Sequence, residues 1–294
     1  MVLDNIEITK KREKLQLLRY NEEINKNEDI AVRTLFTLAG SGIDSEVQES
    51  LKYPQQNETC QPHQGYASLG IVEYVPKRLY IDTGDIVLFP PQFKKYIQVK
   101  AASRELSFFI KVSKHQDVLT ALFSPLVYVA MIISDWITRQ PYQSFMLVGG
   151  NVLASVCCRI MSSYGIHVDI CRKTADIEPN LYIGARNVST YKKYVCIPSY
   201  SNETSRLWII FDKQYFLQHE YIAVENIVRL ESIIEETGIF LNRDSIMEII
   251  SLLNKNELRL DDLVAQHTHP EYCDMLYQNI QKGLLSGKAF VYDW

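Results

Sequence analysis

The stretch Gln64-Gly-Tyr-Ala-Ser-Leu-Gly-Ile-Val72 contains two glycines and then runs into apolar residues. A second turn signal, Gly84-Asp85, precedes another short apolar run. Four short strands are therefore predicted from here to residue 112, over 69–75, 86–89, 96–99 and 106–112. Short strands that are separated at close intervals by turns are typical of a β-barrel.

The residues before this stretch also favour β structure. Residues 1–30 are mostly polar and charged, and they predict a solvated opening hairpin. Alternating apolar side chains predict a strand over 31–38, and the following Ala39-Gly40-Ser41-Gly42 predicts a turn. The first part of the chain is thus expected to be all β.

The character of the sequence changes near residue 115. Helical spacing of apolar residues over 116–136 precedes the apolar run 145–148, which ends at two glycines. Further helices are predicted over 151–164, 225–236 and 243–254, with buried strands over 167–171 and 207–211. Strands that alternate with helices predict βαβ units and a parallel sheet, and so an α/β fold class for the whole chain.

The glycine spacing resembles that of a known family. Gly65, Gly70 and Val72, followed by Gly84-Asp85-Ile86-Val87, are similar to the opening domain of the medium-chain dehydrogenase/reductase superfamily. The resemblance implies an α/β protein that combines a GroES-like β-barrel catalytic domain with a Rossmann-type nucleotide-binding domain.

The end of the chain adds to this resemblance. Residues 261–270 and then 288–294, which close on Asp293-Trp294, look like the ending of the same superfamily, where the chain returns to the catalytic domain. By resemblance, residues 1–120 form the catalytic domain, which residues 255–294 complete, and residues 121–254 form the nucleotide-binding domain.

The chain lacks residues that bind catalytic zinc in members of this superfamily. Zinc members of the superfamily carry Gly-His-Glu where this chain has Gly65-Tyr66-Ala67, and neither replacement supplies an imidazole or carboxylate ligand. The first zinc ligand would fall within residues 41–45, where Asp44 is the only candidate. Three protein ligands are needed, so the sequence predicts no catalytic metal.

A candidate nucleotide site lies between the apolar run 145–148 and the next predicted helix. A strand, a glycine-rich turn and a helix together present backbone N–H groups to a pyrophosphate. Here Gly149 and Gly150 are followed by Asn151 where the second glycine of the motif is expected, and by Ala154 at the third. A dinucleotide site and a plain strand-turn-helix without a ligand both remain open.

The end of the second nucleotide-domain strand predicts which cofactor binds. Arg172 and Lys173 occupy the place where an acidic residue normally accepts hydrogen bonds from the ribose hydroxyls. An arginine pairs with a 2′-phosphate, so the sequence favours NADP(H) over NAD(H). The alternative is a solvated strand end.

Zinc-free members of the superfamily transfer hydride from NADPH to activated C=C, C=N or C=O bonds, and the resemblance implies the same activity here. Tyr66 takes the position of a zinc ligand, where by analogy it faces the cleft. It is a candidate catalytic hydrogen-bond donor, a residue lining the pocket, or a packing residue. A rival hypothesis is a non-catalytic descendant that serves as a binding or assembly module.

Charge and composition limit the other classes of function. The 294 residues carry a formal net charge of −4, which gives no general attraction for nucleic acid or anionic membranes. The first residues do not show the basic and then apolar pattern that predicts a targeting segment, and the apolar residues 121–133 are too short a stretch to predict a membrane span. A cytoplasmic protein that binds a small-molecule substrate is expected, and by resemblance a homodimer.

The six cysteines show no ligand spacing. The adjacent Cys157 and Cys158 lie in an apolar helical stretch, which predicts buried free thiols rather than a redox or metal site. His267 and His269 have the spacing of a metal-binding pair, but by resemblance they lie in a surface loop.

Overall fold

A computed structural model gives the fold of the chain. It describes residues 1–11, 14–40, 64–76, 79–141, 144–148, 152–166, 168–171, 194–195, 206–210, 220–221, 227–238, 242–255, 258–281, 284 and 287–294.

Fifteen strands and five α-helices are found in these ranges. The strands are β1 (Val2–Lys11), β2 (Lys14–Glu23), β3 (Asp29–Gly40), β4 (Gln64–Tyr74), β5 (Ile86–Phe89), β6 (Tyr96–Lys100), β7 (Ile110–Val112), β8 (Ser144–Val148), β9 (Val168–Cys171), β10 (Tyr194–Val195), β11 (Arg206–Ile210), β12 (Glu220–Tyr221), β13 (Ile227–Arg229), β14 (Val264–Thr268) and β15 (Ala289–Asp293). The helices are α1 (Val118–Thr138), α2 (Val152–Ser163), α3 (Leu230–Thr237), α4 (Arg243–Leu253) and α5 (Cys273–Gln281).

The larger sheet joins both ends of the chain. Its strand order is β14-β15-β3-β4-β5-β7, and β6 also pairs with β3. The last strand, β15, lies between β14 and β3 and runs antiparallel to β3. Trp294 fixes this ending, because its indole N–H donates to the Thr37 hydroxyl at 3.0 Å. The predicted return of the tail to the first part of the chain is confirmed.

The second sheet is parallel and has the order β13-β11-β8-β9. From β8 the chain passes through α2 to β9 on one side, and later returns to β11 on the other side of β8. The strand order therefore reverses between β8 and β11, and ligands of such sheets bind beyond the carboxyl ends of the strands at this point. The predicted α/β class is confirmed; the domain boundaries stay a prediction.

Three predicted elements are wrong in detail. Ala39 and Gly40 do not form a turn, because both continue β3 and pair with β4 and β15. Arg104–Phe108 is a 3₁₀-helix that the Ser103 hydroxyl caps, so only the end of the strand predicted over 106–112 exists. The helix predicted from residue 225 begins after β13, whose residues pair with β11.

The opening hairpin is confirmed, but it is less solvated than predicted. β1 and β2 pair antiparallel along their whole length. Asn5 is fully buried, and its side chain accepts from the Tyr96 N–H and donates to the Tyr96 carbonyl, both at 2.9 Å. The Asn5 side chain thus makes the two hydrogen bonds with Tyr96 that a residue of a neighbouring strand would make, and it attaches the hairpin to β6.

Helix α1 lies at the centre of the molecule. It packs against β3 and β4 of the larger sheet and against α2, α3 and α4. With 21 residues it is longer than the apolar stretch noted in the sequence, and by length and composition alone it could cross a membrane. However, 61% of its most apolar window is buried inside the protein, which is typical of a core helix.

A proline inside α1 leads to a testable prediction. Pro125 has no N–H to donate to the Ala121 carbonyl, and the buried Ser124 hydroxyl donates to that carbonyl at 2.7 Å instead. We expect Ser124→Ala to lower the free energy of unfolding by about 1–2 kcal/mol, since it leaves a buried carbonyl without a donor. Urea unfolding measures this loss.

The matched background for this test is Pro125→Ala, which restores the backbone donor. In that background Ser124→Ala is expected to cost less than about 0.5 kcal/mol. An equal loss in both backgrounds would show that the serine does not replace the missing N–H.

Candidate functional site

The glycines of the opening stretch lie where the backbone is crowded. A Cβ on Gly65 would lie 2.4 Å from the Cβ of Pro91, and a Cβ on Gly70 would lie 2.6 Å from the Arg33 carbonyl oxygen. Real Cβ atoms do not approach other atoms this closely. The glycine spacing that suggested the family is therefore explained by the close packing of β4 on its neighbouring strands.

Tyr66 lies at the junction between the two sheets. Its side chain is among the largest that are fully buried, with 1% of its surface exposed. A Cβ on Gly40 would lie 2.8 Å from the Tyr66 hydroxyl and 2.8 Å from a methyl of Val152. The end of β3, the phenol and the first residue of α2 thus converge on one point. Neither Gly40 nor Val152 was predicted as a site residue, although a glycine at the end of an apolar strand is a signal of close approach.

The predicted nucleotide site lies between a strand and a helix that the structure describes. β8 ends at Val148 and α2 begins at Val152, so three residues form the connection. Gly149, Gly150 and Asn151 lie outside the described residues. Ala154, the last residue of the motif, is fully buried, as close packing of the helix on the sheet requires. The residues that flank the turn fit a bound dinucleotide.

Contacts with the C-terminal part hold the first turns of α2 in place. The Ser155 hydroxyl donates to the Gly287 carbonyl at 3.3 Å. The Arg159 guanidinium forms a two-pronged ion pair with Asp262. The hydrogen bonds from Arg159 lower the pKa of the Asp262 carboxyl below its ordinary value. The segment that leads into β14 and β15 thus positions the helix behind the glycine turn.

Arg172 and Lys173, which predict the cofactor preference, lie outside the described residues, as do residues 41–45. The end of β9 at Cys171 places the chain directly before Arg172 at the carboxyl edge of the parallel sheet. The predicted role of these two basic residues stays a prediction.

No group of three histidine, cysteine, aspartate or glutamate side chains comes together within the described residues. The two histidines with metal-like spacing each face a different carboxylate. His267 Nδ1 lies 3.2 Å from Asp293, and His269 Nδ1 lies 3.9 Å from Glu271. Each histidine thus has its own acidic neighbour.

The described cysteines Cys157, Cys158 and Cys273 are free, and Cys157 and Cys273 are buried. Burial raises the pKa of the Cys157 thiol far above its ordinary value. It also raises the pKa of Cys273, to about 11. These two thiols are protonated at neutral pH and are poor nucleophiles, in line with the structural role predicted for Cys157.

A groove of about 660 Å³ lies between α1, α2 and α4. Side chains such as Tyr128, Tyr164 and Leu252 line it, together with the carboxylates of Asp135 and Glu248. Neither Tyr66 nor Ala154, the two predicted site residues that the structure describes, lines this groove. It is therefore separate from the junction at Tyr66.

Comparisons with known proteins give the fold. No family model matches the sequence, and no curated protein matches it. Solved structures do match: a short chain alcohol dehydrogenase from Escherichia coli complexed with NADH superposes with a TM-score of 0.58 at 11% identity, covering 99% of this chain and 100% of that chain.

Two further structures cover nearly the whole chain. CAD from Helicobacter pylori complexed with NADP(H) has a TM-score of 0.56 at 11% identity, covering 100% of this chain and 99% of that one. CurK enoyl reductase has a TM-score of 0.56 at 8% identity, covering 99% of both chains. The predicted resemblance in fold to the medium-chain dehydrogenases and reductases is confirmed.

Proposed function

We propose that this protein is a zinc-independent, NADPH-dependent reductase that acts on an activated C=C, C=N or C=O bond of a small biosynthetic intermediate. The observation that carries the proposal is the convergence of Tyr66 and Val152 on Gly40. This contact joins the segment 65–67, which lacks the zinc ligands of the superfamily, to Val152, the first residue after the predicted glycine turn. An oxidoreductase fold in the solved neighbours supports the same class of activity.

The described residues around the turn support a nicotinamide cofactor. The turn follows the strand at which the order of the parallel sheet reverses, and a 12-residue helix begins directly behind it. The positive end of such a helix favours a pyrophosphate. Two neighbours were crystallised with NADH or NADP(H). When bound, the nicotinamide supplies the hydride for reduction.

The preference for NADPH rests on Arg172 and Lys173. A guanidinium at the end of the second strand binds a 2′-phosphate through two parallel hydrogen bonds. The acidic residue that would select NADH is missing at this place.

Tyr66 is proposed to act as a positioning residue. Because its ring is buried beside Val152 and Gly40, it fixes the start of α2 and so the backbone of the preceding turn. The pocket then orients the substrate and excludes water, while the proton donor comes from elsewhere in the cleft or from solvent.

The second candidate is a non-catalytic module that keeps the fold. The full burial of Tyr66 favours it, because this side chain fills the junction where the zinc members of the superfamily hold their metal. The loss of the motif's second glycine at Asn151 favours it as well. The two candidates differ in one respect: the module binds no cofactor, or binds it without turnover.

A cofactor titration tests the proposal. We expect NADPH to bind with a dissociation constant in the micromolar range, and NADH to bind at least about tenfold more weakly. Isothermal titration calorimetry of the full chain with each cofactor measures both values. Arg172→Ala is expected to reduce the preference for NADPH to less than about threefold.

The matched control is Arg139→Ala, which removes an exposed arginine paired with Asp135 at the end of α1. It should leave both affinities unchanged. If NADPH does not bind at millimolar concentration, the reductase proposal is wrong. If NADH binds as tightly as NADPH, the role given to Arg172 is wrong.

A further inference from the structure

The outer edge of β2 pairs with no other strand in the part of the chain that the structure describes. The backbone N–H and C=O groups of successive residues in β2 point alternately toward β1 and away from it. Ile24 donates to the Met1 carbonyl, so the even-numbered residues of β2 pair with β1. The Leu15 N–H points to the other side, where the Asp274 carboxylate accepts from it at 3.0 Å.

The Asp274 contact covers only one end of this edge. Within the part of the chain that the structure describes, the backbone groups of four outward residues have no hydrogen-bond partner: Leu17, Arg19, Asn21 and Glu23. They span a seven-residue window centred on Tyr20. An open strand edge of this length is a template for another strand.

From this edge we infer that two copies of the chain pair through β2, antiparallel, about a two-fold axis at Tyr20. In this register Leu17 lies opposite Glu23 of the second copy, and Arg19 lies opposite Asn21. Every open N–H and C=O of the window then gains a partner, and the Asp274 side chain ends the pairing on each side.

The charges of the window complement each other in this register. Arg19 lies diagonal to Glu23 of the second copy on the same face of the sheet, within reach of a long side chain. The symmetry repeats this pair, and it also places the two Arg19 side chains diagonal to each other, each 4.0 Å from the Glu271 carboxylate of its own chain. On the other face the exposed Leu18 lies diagonal to Tyr20 of the second copy, which covers its apolar surface.

The neighbouring C-terminal segment adds apolar surface beside the edge. The Glu271 carboxylate lies 4.0 Å from the Arg19 guanidinium, and the Asp274 carboxylate accepts from the Leu15 N–H, so this segment packs beside the Leu15 end of the edge. Its Tyr272 and Met275 side chains are more than half exposed. A strand that docks on the edge covers part of this surface.

Disulfide trapping of the full chain tests the register. In the proposed dimer the two Tyr20 residues face each other as a non-hydrogen-bonded pair with Cα atoms about 4.5 Å apart, which suits a disulfide. Tyr20→Cys is therefore expected to give a covalent dimer on mild oxidation, seen on a non-reducing gel. Leu18→Cys is the control, because its two copies would lie about 13 Å apart and would not link.

Sedimentation velocity over a concentration series tests the interface itself. We expect the unmodified chain to dimerise, and Asn21→Pro to raise the dissociation constant at least about tenfold, since proline removes an outward N–H and leaves the pairing with β1 intact. Asn21→Ala should dimerise like the unmodified chain. Arg19→Glu and Glu23→Arg should each weaken the dimer, and the double variant should regain affinity.

Three outcomes would overturn the inference: a chain that stays monomeric at all concentrations, an Asn21→Pro variant that dimerises normally, or equal cross-linking by Cys at 18 and at 20. None of them depends on whether the protein binds NADPH.

Discussion

Replacing Gly70 by alanine is expected to destabilise the protein by about 3 kcal/mol, because the added methyl group has no room. Its carbon would lie 2.6 Å from the Arg33 carbonyl oxygen, 2.9 Å from a methyl of Val32 and 3.0 Å from the Phe89 ring. The first of these atoms belongs to the backbone of the paired strand β3, which cannot rotate away. Urea unfolding followed by circular dichroism measures the loss.

Gly84→Asn is the matched control for this prediction. Gly84 lies in the turn before β5 and has a positive φ of 87°, but a Cβ there meets nothing within 4 Å. Asparagine tolerates this region of backbone space, so we expect a change below about 1 kcal/mol. An alanine at position 70 that unfolds like the unmodified chain would show that β3 and β4 are less closely packed than the structure has them.

These glycines show what the sequence could predict and what it could not. Their spacing predicted the fold correctly, because close strand packing leaves no room for a Cβ at Gly65 and Gly70. The same spacing said nothing about whether Tyr66 faces a cleft or a core. Burial depends on the helix α1 and on Val152, which are distant in the sequence and meet β4 only in the folded chain.

The errors in the predicted secondary structure also arise from contacts between residues that are distant in the sequence. The dipeptide Ala39-Gly40 has the composition of a turn, yet it pairs with strands on both sides, β4 and β15. The partner β15 comes from the other end of the chain. Local composition therefore predicted a break where a tertiary contact extends the strand. Helix α1 was predicted well, because its apolar period is long and needs no distant partner.

The candidate site was predicted less fully than the fold. The strand and the helix on either side of Gly149 were predicted from local patterns, and the structure places the strand at a reversal of the sheet order. The hydrogen bonds from Ser155 to Gly287 and from Arg159 to Asp262 were not predicted, since each joins residues more than 100 positions apart. Such contacts have no local signal.

Tyr66→Ala is expected to produce the second large effect, a loss of about 3–5 kcal/mol in the free energy of unfolding. The ring is fully buried in the cluster that α1 and α2 share, and its removal leaves a cavity beside Gly40 and Val152. If Tyr66 positions the glycine turn, this variant also weakens NADPH binding at temperatures where it is still folded. Calorimetry measures the affinity, and urea unfolding measures the stability.

Tyr66→Phe separates positioning from catalysis, because it keeps the ring and removes only the hydroxyl. A positioning role predicts unchanged NADPH affinity and turnover, with a stability change below about 1.5 kcal/mol. A drop in kcat of about a hundredfold at unchanged affinity would instead show that the hydroxyl donates to the substrate, and the positioning role would be wrong.

Gly40→Ala adds a methyl group 2.8 Å from the Tyr66 hydroxyl, and it should cost less stability in the Tyr66→Phe background than alone. Equal costs in the two backgrounds would mean that the hydroxyl does not limit the space at Gly40, since the Tyr66 ring carbon Cε2 and the Val152 methyl, each also 2.8 Å from the added carbon, are present in both.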